Sequence, residues 1–245
     1  MYRGSVSARS LPIGDDRLRV APWRGDPTTA YLVARRGRPS PFALARCLEQ
    51  LAGGGYRAAL TAALAPADQE PWLANGFVVH ERLHLLSRAV DPAPEDLPDG
   101  VDLRRGRPRD RALVLAVDAA AFPAFWQLDE AGLDDALGAT PSSRFRVATR
   151  GEGHGEIVGY AVTGRAGPRG YLQRLAVSPT AQRAGIGSAL VVDGLRWLRR
   201  WGAREVLVNT QEGNDAAVAL YEHLGFRRHD EGLAVLQRPL SSTVR

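Results

Sequence analysis

Apolar residues recur along the chain with two spacings, and the spacing separates helices from strands. An apolar residue at every third or fourth position predicts helices in the second, larger part of the chain at 108–122, 128–137, 184–201 and 215–224. Short alternating or continuous apolar runs predict strands there at 101–105, 144–149, 157–163, 170–177, 205–209, 226–229 and 233–237. This order combines antiparallel hairpins with strand–helix–strand units, so we expect an α+β fold with a mixed sheet.

The first part of the chain repeats only the last elements of that order. Its pattern predicts strands at 29–34, 56–60, 77–80 and 83–87, with helices at 41–52 and 67–74. The tripeptide at 75–77 aligns with the one at 224–226, which brings Trp72 opposite Tyr221 and His80 opposite His229. We interpret this part as a degenerate internal repeat.

The segment between the two parts has a different composition. Its sequence, RAVDPAPEDLPDG at 88–100, is rich in proline and acidic residues and has no apolar period. Such a composition predicts a linker. We therefore expect a half domain at 1–90, a linker at 91–100 and a larger domain at 101–245.

Composition and charge narrow the possible classes. The net charge is +5, but all 32 basic residues are arginine and they are scattered, so we expect no nucleic-acid partner. The single cysteine, Cys47, excludes an internal disulfide and is expected to be a small buried hydrophobic residue. No apolar run is long enough to cross a bilayer and residues 1–16 show no secretory signal, so we expect a cytoplasmic protein without membrane contact.

Two glycines at the start of the long helix give the first chemical indication. A strand ends at Val177, a loop follows, and Gly185 and Gly187 open the helix. Backbone amides without internal partners, near the positive end of a helix dipole, bind phosphate or pyrophosphate. Arg183 and the Ser188 hydroxyl add a charge and a donor.

Three ligand classes use such a loop. A P-loop requires lysine, which the chain lacks, and a dinucleotide fingerprint requires a third glycine where Leu190 stands. The third pattern is Gln/Arg-x-x-Gly-x-Gly after a strand, and it fits Gln182 to Gly187. A dinucleotide-dependent enzyme remains an alternative at this point.

The third pattern resembles motif A of the GNAT superfamily of N-acetyltransferases. Leu175-Ala176-Val177 matches the cofactor strand of that family, and Gln182-Arg183-Ala184-Gly185-Ile186-Gly187 matches its loop. A second match lies downstream, where Asn214 opens a helix, Tyr221 stands near its end and Gly225-Phe226 follows. The resemblance covers roughly 101–240 and, more weakly, the first 90 residues.

The resemblance implies a GNAT-type, mostly antiparallel sheet flanked by helices, with acetyl-CoA as co-substrate and no metal. In that family a break in strand pairing admits the pantetheine arm. The resemblance therefore implies that coenzyme A contacts a set of strand and loop residues: Leu175, Ala176, Val177, Gln182, Arg183, Ala184, Gly185, Ile186, Gly187 and Ser188. It also implies a contact with Asn214, for which the alternative role is that it only caps its helix. Tyr221 is implied as the general acid that protonates the leaving thiolate.

The acceptor and the general base stay open. Direct attack of a neutral amine on the thioester is implied, but Asn209 stands where the family's ribosomal-protein acetyltransferases carry a glutamate. Candidate bases are Glu205, Glu130, Asp129, His154 or a bound water. The aromatic residues Phe122, Phe125 and Trp126 either line an acceptor pocket or pack a helix corner, and Asp129 and Glu130 are candidates to attract a cationic amine.

The first part of the chain is expected to bind no coenzyme, because prolines occupy the place of the glycine loop at 36–41. His80-Glu81-Arg82-Leu83-His84 matches a zinc motif, but it falls on predicted strands rather than a helix, so we expect no metal there. Four classes of amine acceptor stay open: a peptide N-terminus, an aminoglycoside, a polyamine and a small-thiol precursor. We expect the enzyme to be a monomer or a homodimer. Tandem arrangements occur in the superfamily, including the mycothiol synthases, but the first part is shorter than that match requires. A non-catalytic acyl-CoA-binding module is the alternative function.

Overall fold

The computed structural model describes residues 9–13, 16–34, 37–91, 102–151 and 155–240. The helices are α1 (Pro41–Gly53), α2 (Pro66–Ala74), α3 (Arg111–Ala121), α4 (Glu130–Gly138), α5 (Ile186–Arg200) and α6 (Asp215–His223). The strands are β1 (Arg9–Ile13), β2 (Asp16–Trp23), β3 (Asp26–Ala34), β4 (Ala58–Thr61), β5 (Val78–Ala89), β6 (Asp102–Arg105), β7 (Ser142–Arg150), β8 (Glu156–Ala166), β9 (Arg169–Val177), β10 (Glu205–Gln211), β11 (Arg227–Arg228) and β12 (Leu233–Pro239).

The chain divides into two compact units at points that differ from the predicted domain boundaries. Unit 1 comprises Met1–His84 with Asp230–Arg245, and unit 2 comprises Leu85–His229. The last strand, which we expected in the larger domain, belongs to unit 1 because β12 pairs with β4 and with β5. The predicted linker lies, apart from Asp91, outside the described residues.

Unit 1 has β1, β2, β3, β4, β12 and β5 in that spatial order. The parallel pair β3–β4 holds together along the whole of β4, from Ala58 to Thr61. Helix α1 starts at Pro41, with the Ser40 hydroxyl accepting the Ala43 amide at 3.2 Å. The helix buries Leu44, Cys47, Leu48 and Leu51, which follow helical spacing, in a core with Trp72.

One expectation for unit 1 was wrong, and two of its strands were not predicted. The predicted strands 77–80 and 83–87 form one strand, β5, because no glycine or proline interrupts 77–87 and a bulge opposite Val235 and Leu236 absorbs the irregularity. Strands β1 and β2 were not predicted, since Pro12, Pro22 and several arginines obscure their apolar alternation.

The zinc-like motif therefore lies on one extended strand. His80 and His84 are four residues apart on β5, about 13 Å along the strand. No group of three or more His, Cys, Asp or Glu side chains suited to a metal occurs in the described ranges.

Unit 2 confirms the predicted mixed, mostly antiparallel sheet flanked by helices. Strands β6, β7, β8 and β9 are antiparallel neighbours, and β10 joins β9 in parallel. One core cluster joins residues of α3, α4, β7 and β8, among them Val114, Leu133 and Tyr160. Another packs α5 through Leu195 and Leu198 against β10 and α6. Within the described ranges no helix has the length and apolar character needed to span a membrane.

The only cysteine gives a test of the unit 1 core. Cys47 is fully buried, and burial raises the pKa of its thiol to about 11. At about pH 8 the thiol stays protonated and enclosed, so we expect a thiolate-specific reagent to label native protein far more slowly than urea-unfolded protein. Rapid stoichiometric labelling of the native protein, followed spectrophotometrically, would contradict this packing.

Candidate active site

The two central strands of unit 2 part soon after they meet. Pairing between β9 and β10 runs from Arg169 opposite Glu205 to Tyr171 opposite Leu207 and ends there. Strand β9 continues to Val177 and β10 to Gln211. Residues 172–177 and 208–211 thus border a strand gap, in which β9 backbone groups facing β10 have no ladder partner. The implied break in pairing is present.

A β-bulge sets the direction of the side chains that border the gap. Val162 of β8 lies opposite Arg174, whereas Thr163 lies opposite Leu172, so Gln173 is the additional residue in β9. Leu172 belongs to the core cluster under α5, while Arg174 reaches α3 on the other face of the sheet. Without the bulge, residues 172 and 174 would share one face.

The loop that follows β9, residues 178–185, turns sharply into α5. Arg183 has φ 62° and Gly185 has φ 75°, so two of its last three residues adopt the left-handed region. This conformation is uncommon for arginine, which makes the loop a costly one to keep. The long helix consequently begins at Ile186, two residues later than expected.

The loop presents a run of free backbone amides. The first backbone bond of α5 is from the Ala189 amide to the Gly185 carbonyl, at 2.9 Å. The amides of 182–188 have no hydrogen-bond partner within the described part of the chain, and no side chain caps α5. These amides, the helix dipole and the Arg183 charge form a concentrated site for an anion.

Two glycines, which have no side chain, let the start of α5 approach its neighbours closely. A Cβ on Gly159 would lie 3.0 Å from Ile186, and a Cβ on Gly187 would lie 3.2 Å from Leu220 of α6. The first turn of α5 therefore sits against both β8 and α6. Asn214 caps α6, since its Oδ1 accepts the Ala217 amide at 3.2 Å. Its side-chain nitrogen has no partner among the described residues.

Tyr221 lies on the last turn of α6, in the core cluster that contains Leu172 and Val208, the first residues beyond the paired ends of β9 and β10. It is 95% buried, and its ring centroid lies 5.5 Å from that of Phe226. Burial raises the pKa of its hydroxyl above the usual 10.0, with the Arg174 charge acting in the opposite direction. The hydroxyl has no hydrogen-bond partner within the described residues and is not sealed from solvent.

A buried ion pair that the sequence did not indicate lies on the α3 face of the gap. Asp118 of α3 is fully buried. It accepts two hydrogen bonds from Arg174, from Nε to Oδ2 at 2.7 Å and from Nη2 to Oδ1 at 2.8 Å. The Tyr160 hydroxyl also donates to Oδ2 of Asp118 at 2.5 Å, and the Leu128 amide donates to Oδ1 at 2.7 Å. All acceptor positions of Asp118 are thus occupied, so it does not serve as a base. An acid on the apolar face of a helix was the available signal.

The aromatic turn, residues 122–128, lies directly over this ion pair. Arg174 donates from Nη2 to the Trp126 carbonyl at 2.8 Å, and its guanidinium carbon lies 3.5 Å from the centroid of the Phe122 ring. Phe125 and Trp126 meet edge to face at 5.0 Å. The turn therefore borders the gap on the side opposite α5.

The acids proposed to attract an amine have structural contacts. Asp129 caps α4 by accepting the Gly132 amide at 2.7 Å, and Glu130 pairs with Arg111 at 2.6 Å. At the paired end of β10, Oε2 of Glu205 lies 3.7 Å from Nε of Arg169. His154 lies outside the described residues. The structure thus brings the loop and α6, which carries Asn214 and Tyr221, to one gap, and it adds no candidate base among the residues that it describes.

Comparison with known proteins agrees with this arrangement. The model of the acetyltransferase (GNAT) family matches residues 113–226. The mycothiol acetyltransferase of Geodermatophilus obscurus is 33% identical over 92% of this chain and 78% of its own length. That of Amycolatopsis mediterranei is 32% identical over 80% of this chain and 70% of its own. That of Streptomyces avermitilis is 36% identical over 64% of this chain and 54% of its own.

Solved structures share the fold at low identity. A tandem GNAT protein from the clavulanic acid biosynthesis pathway has a TM-score of 0.67 at 15% identity, covering 94% of this chain and 80% of that one. A GCN5-related N-acetyltransferase from Kribbella flavida has a TM-score of 0.63 at 16% identity, covering 95% and 90%. The sequence relatives thus include the mycothiol group, which the short first part led us not to favour. The chain belongs to the GNAT family of acetyltransferases and is an acetyl-CoA-dependent N-acetyltransferase.

Proposed function

We propose that the enzyme transfers the acetyl group of acetyl-CoA to the primary amine of a small thiol compound, the precursor whose N-acetylation gives mycothiol. The observation that carries this proposal is the similarity to the mycothiol acetyltransferase of Geodermatophilus obscurus across 92% of the chain. That similarity includes unit 1, whereas the family model covers only residues 113–226. The relatives therefore supply an acceptor class that the family match alone does not.

The strand gap and the loop at 178–185 fit coenzyme A. The pyrophosphate takes the free amides of the loop and of the first turn of α5, beside Arg183. The pantetheine arm forms hydrogen bonds with the β9 backbone at Leu175, Ala176 and Val177, where β10 no longer pairs with that strand. The free side-chain nitrogen of Asn214 is available to the same arm.

Unit 1 differs from unit 2 at both of these places in the residues that the structure describes. Strands β3 and β4 stay paired to the end of β4, so no gap opens between them. At the start of α1, Pro41 has no N–H and the Ala43 amide is already bound to Ser40. We assign coenzyme binding to unit 2 alone.

The chemistry is a direct transfer. The lone pair of the neutral amine attacks the thioester carbon, the new C–N bond forms, and the carbonyl oxygen becomes an oxyanion. Collapse of this intermediate breaks the C–S bond, and the departing thiolate takes the proton of the Tyr221 hydroxyl. The amine nitrogen loses its proton to water, which restores the tyrosine through solvent.

The environment of Tyr221 suits a proton donor. A buried tyrosine with a raised pKa keeps its proton throughout the neutral range. Its hydroxyl has no competing acceptor within the described residues, so it is available to the sulfur. General acid assistance of this kind contributes roughly 10²–10⁴-fold to the rate.

The acceptor is tested by supplying acetyl-CoA with the purified amine precursor of mycothiol, and separately with a polyamine, an aminoglycoside and a peptide N-terminus. We expect release of coenzyme A and formation of the N-acetylated thiol, with kcat/KM for the precursor well above the values for the other amines. Equal turnover of the whole panel, or preference for another amine, would contradict the proposed acceptor.

Tyr221→Phe removes the proton donor and keeps the ring packing. We expect kcat to fall by about 10²–10⁴-fold while the Kd for acetyl-CoA stays unchanged. In the wild-type enzyme, kcat should show no decline from tyrosine ionisation up to about pH 10, because the pKa is raised rather than lowered. Tyr56→Phe in unit 1 is the control, and unchanged kcat in Tyr221→Phe would exclude the role.

Gly185→Ala tests the loop, and Gly202→Ala is the control because it imposes the same backbone strain outside the loop. Gly185 and Gly202 lie just before and just beyond α5, with φ of 75° and 74°. Alanine at either position should cost about 1–2 kcal/mol of stability, measured by urea unfolding. Only Gly185→Ala should also weaken acetyl-CoA binding, by about tenfold in calorimetry, because it disturbs the amide run. Equal affinity in the two variants would remove the loop from the binding site.

A further inference from the structure

Gln173, the additional residue of the bulge in β9, has a side-chain oxygen that no group in the described part of the chain uses. Its Nε2 donates to the Thr140 hydroxyl oxygen at 3.2 Å. The Thr140 hydroxyl itself donates to the Ser142 carbonyl at 2.9 Å, so its oxygen can only accept from Gln173 and must face the amide nitrogen. Oε1 of Gln173 therefore takes the other side of the carboxamide. It is buried and has no hydrogen-bond partner within the described residues.

The fold makes room for this side chain beside the strand gap. Gln173 lies in the part of β9 that β10 does not pair with. A Cβ on Gly164 of β8 would overlap both Nε2 of Gln173 and the Thr140 hydroxyl, so glycine is required for the two to meet. Strand β8 borders β9 on the side away from the gap. The amide nitrogen is thus held over β8 by one long bond, which leaves the carboxamide able to tilt Oε1 toward a ligand.

The side chain of Gln173 lies on the face of the sheet opposite α5. Thr163 of β8 faces α5, because a Cβ on Gly194 of that helix would lie 2.6 Å from its hydroxyl. Gly164 is the next residue of the strand and so faces the α3 side, together with the Gln173 side chain packed over it. The coenzyme phosphates are proposed to bind at the start of α5. An amine that approaches the thioester from the other face therefore passes Gln173.

We propose that Oε1 of Gln173 accepts a hydrogen bond from an N–H of the attacking amine and directs its lone pair at the thioester carbon. This rests on the proposed transfer and names the side chain that holds the nucleophile. As the C–N bond forms, the nitrogen becomes positively charged, so its bond to Oε1 is stronger in the intermediate than in the substrate. One amine proton stays in this bond and becomes the N–H of the product, and the other passes to water. The departing thiolate still takes the Tyr221 proton.

Gln173→Met tests the bond, because it removes Oε1 and keeps an unbranched side chain of similar length. Gln69→Met in unit 1 is the matched control, since Nε2 of Gln69 also makes a bond of 3.2 Å, to the Leu64 carbonyl. The substrate is the amine of the panel that the wild-type enzyme acetylates fastest. We expect kcat of Gln173→Met to fall roughly 10- to 100-fold, as for loss of a hydrogen bond to a charged group, with the Kd for acetyl-CoA unchanged. Gln69→Met should keep the wild-type kcat.

Two more variants separate this bond from a packing role. Thr140→Val removes the partner of Nε2 but leaves Oε1, so we expect a smaller fall in kcat than in Gln173→Met. Gln173→Glu restores an acceptor oxygen, and at about pH 9 we expect it to recover most of the lost kcat. A wild-type kcat in Gln173→Met, an equal fall in Thr140→Val, or no recovery in Gln173→Glu would each overturn the proposal.

The outcome is separable from the proposed acceptor, because the substrate is chosen by turnover. If the mycothiol precursor is not acetylated but Gln173→Met slows transfer to the amine that is, the proposed acceptor fails and the role of Gln173 stands. If the precursor is acetylated equally well by wild type and Gln173→Met, the acceptor stands and the role of Gln173 fails.

Discussion

The separation of β9 from β10 after three residue pairs is the constraint on which the rest of unit 2 depends. Two adjacent parallel strands ordinarily continue to pair, because every unpaired backbone group inside a protein costs free energy. Here the two strands continue for several residues without that ladder. We propose that the exposed strand edge recognises the extended pantetheine arm by backbone hydrogen bonds, as an added strand would. Unit 1 keeps its parallel pair β3–β4 closed and lacks this edge.

Other features hold the gap open and arrange the groups around it. The bulge at Gln173 turns Leu172 and Arg174 to opposite faces, so one side of β9 packs under α5 while the other binds α3. On the α3 face, the fully enclosed Asp118 fixes Arg174 and, through the Leu128 amide, the aromatic turn. Removing one member of such a pair costs about 3–5 kcal/mol, so the turn is firmly held. Left-handed Arg183 adds local strain where the coenzyme phosphates are proposed to bind.

The sequence predicted what depends on local pattern. Helical spacing, the glycines at 185 and 187 and the Asn214–Tyr221 helix led to the GNAT fold, and the first turn of α5 does lie against the helix that carries Asn214 and Tyr221. It did not predict features that depend on distant partners. The placement of β12 in unit 1 is decided by pairing with β4 and β5, and the continuity of β5 by the same partner. The Asp118–Arg174 pair joins residues far apart in the chain, so Asp118 on the apolar face of its helix signals a buried acid but does not identify its partner.

Hydrogen–deuterium exchange with and without acetyl-CoA tests the strand gap most directly. We expect acetyl-CoA to slow exchange in peptides covering 172–188, where the loop amides and the β9 amides facing β10 lack partners, and to leave peptides covering 29–34 and 58–61 of unit 1 unchanged. Unchanged exchange at 172–188 in protein that binds acetyl-CoA, or equal slowing in the unit 1 peptides, would contradict this expectation.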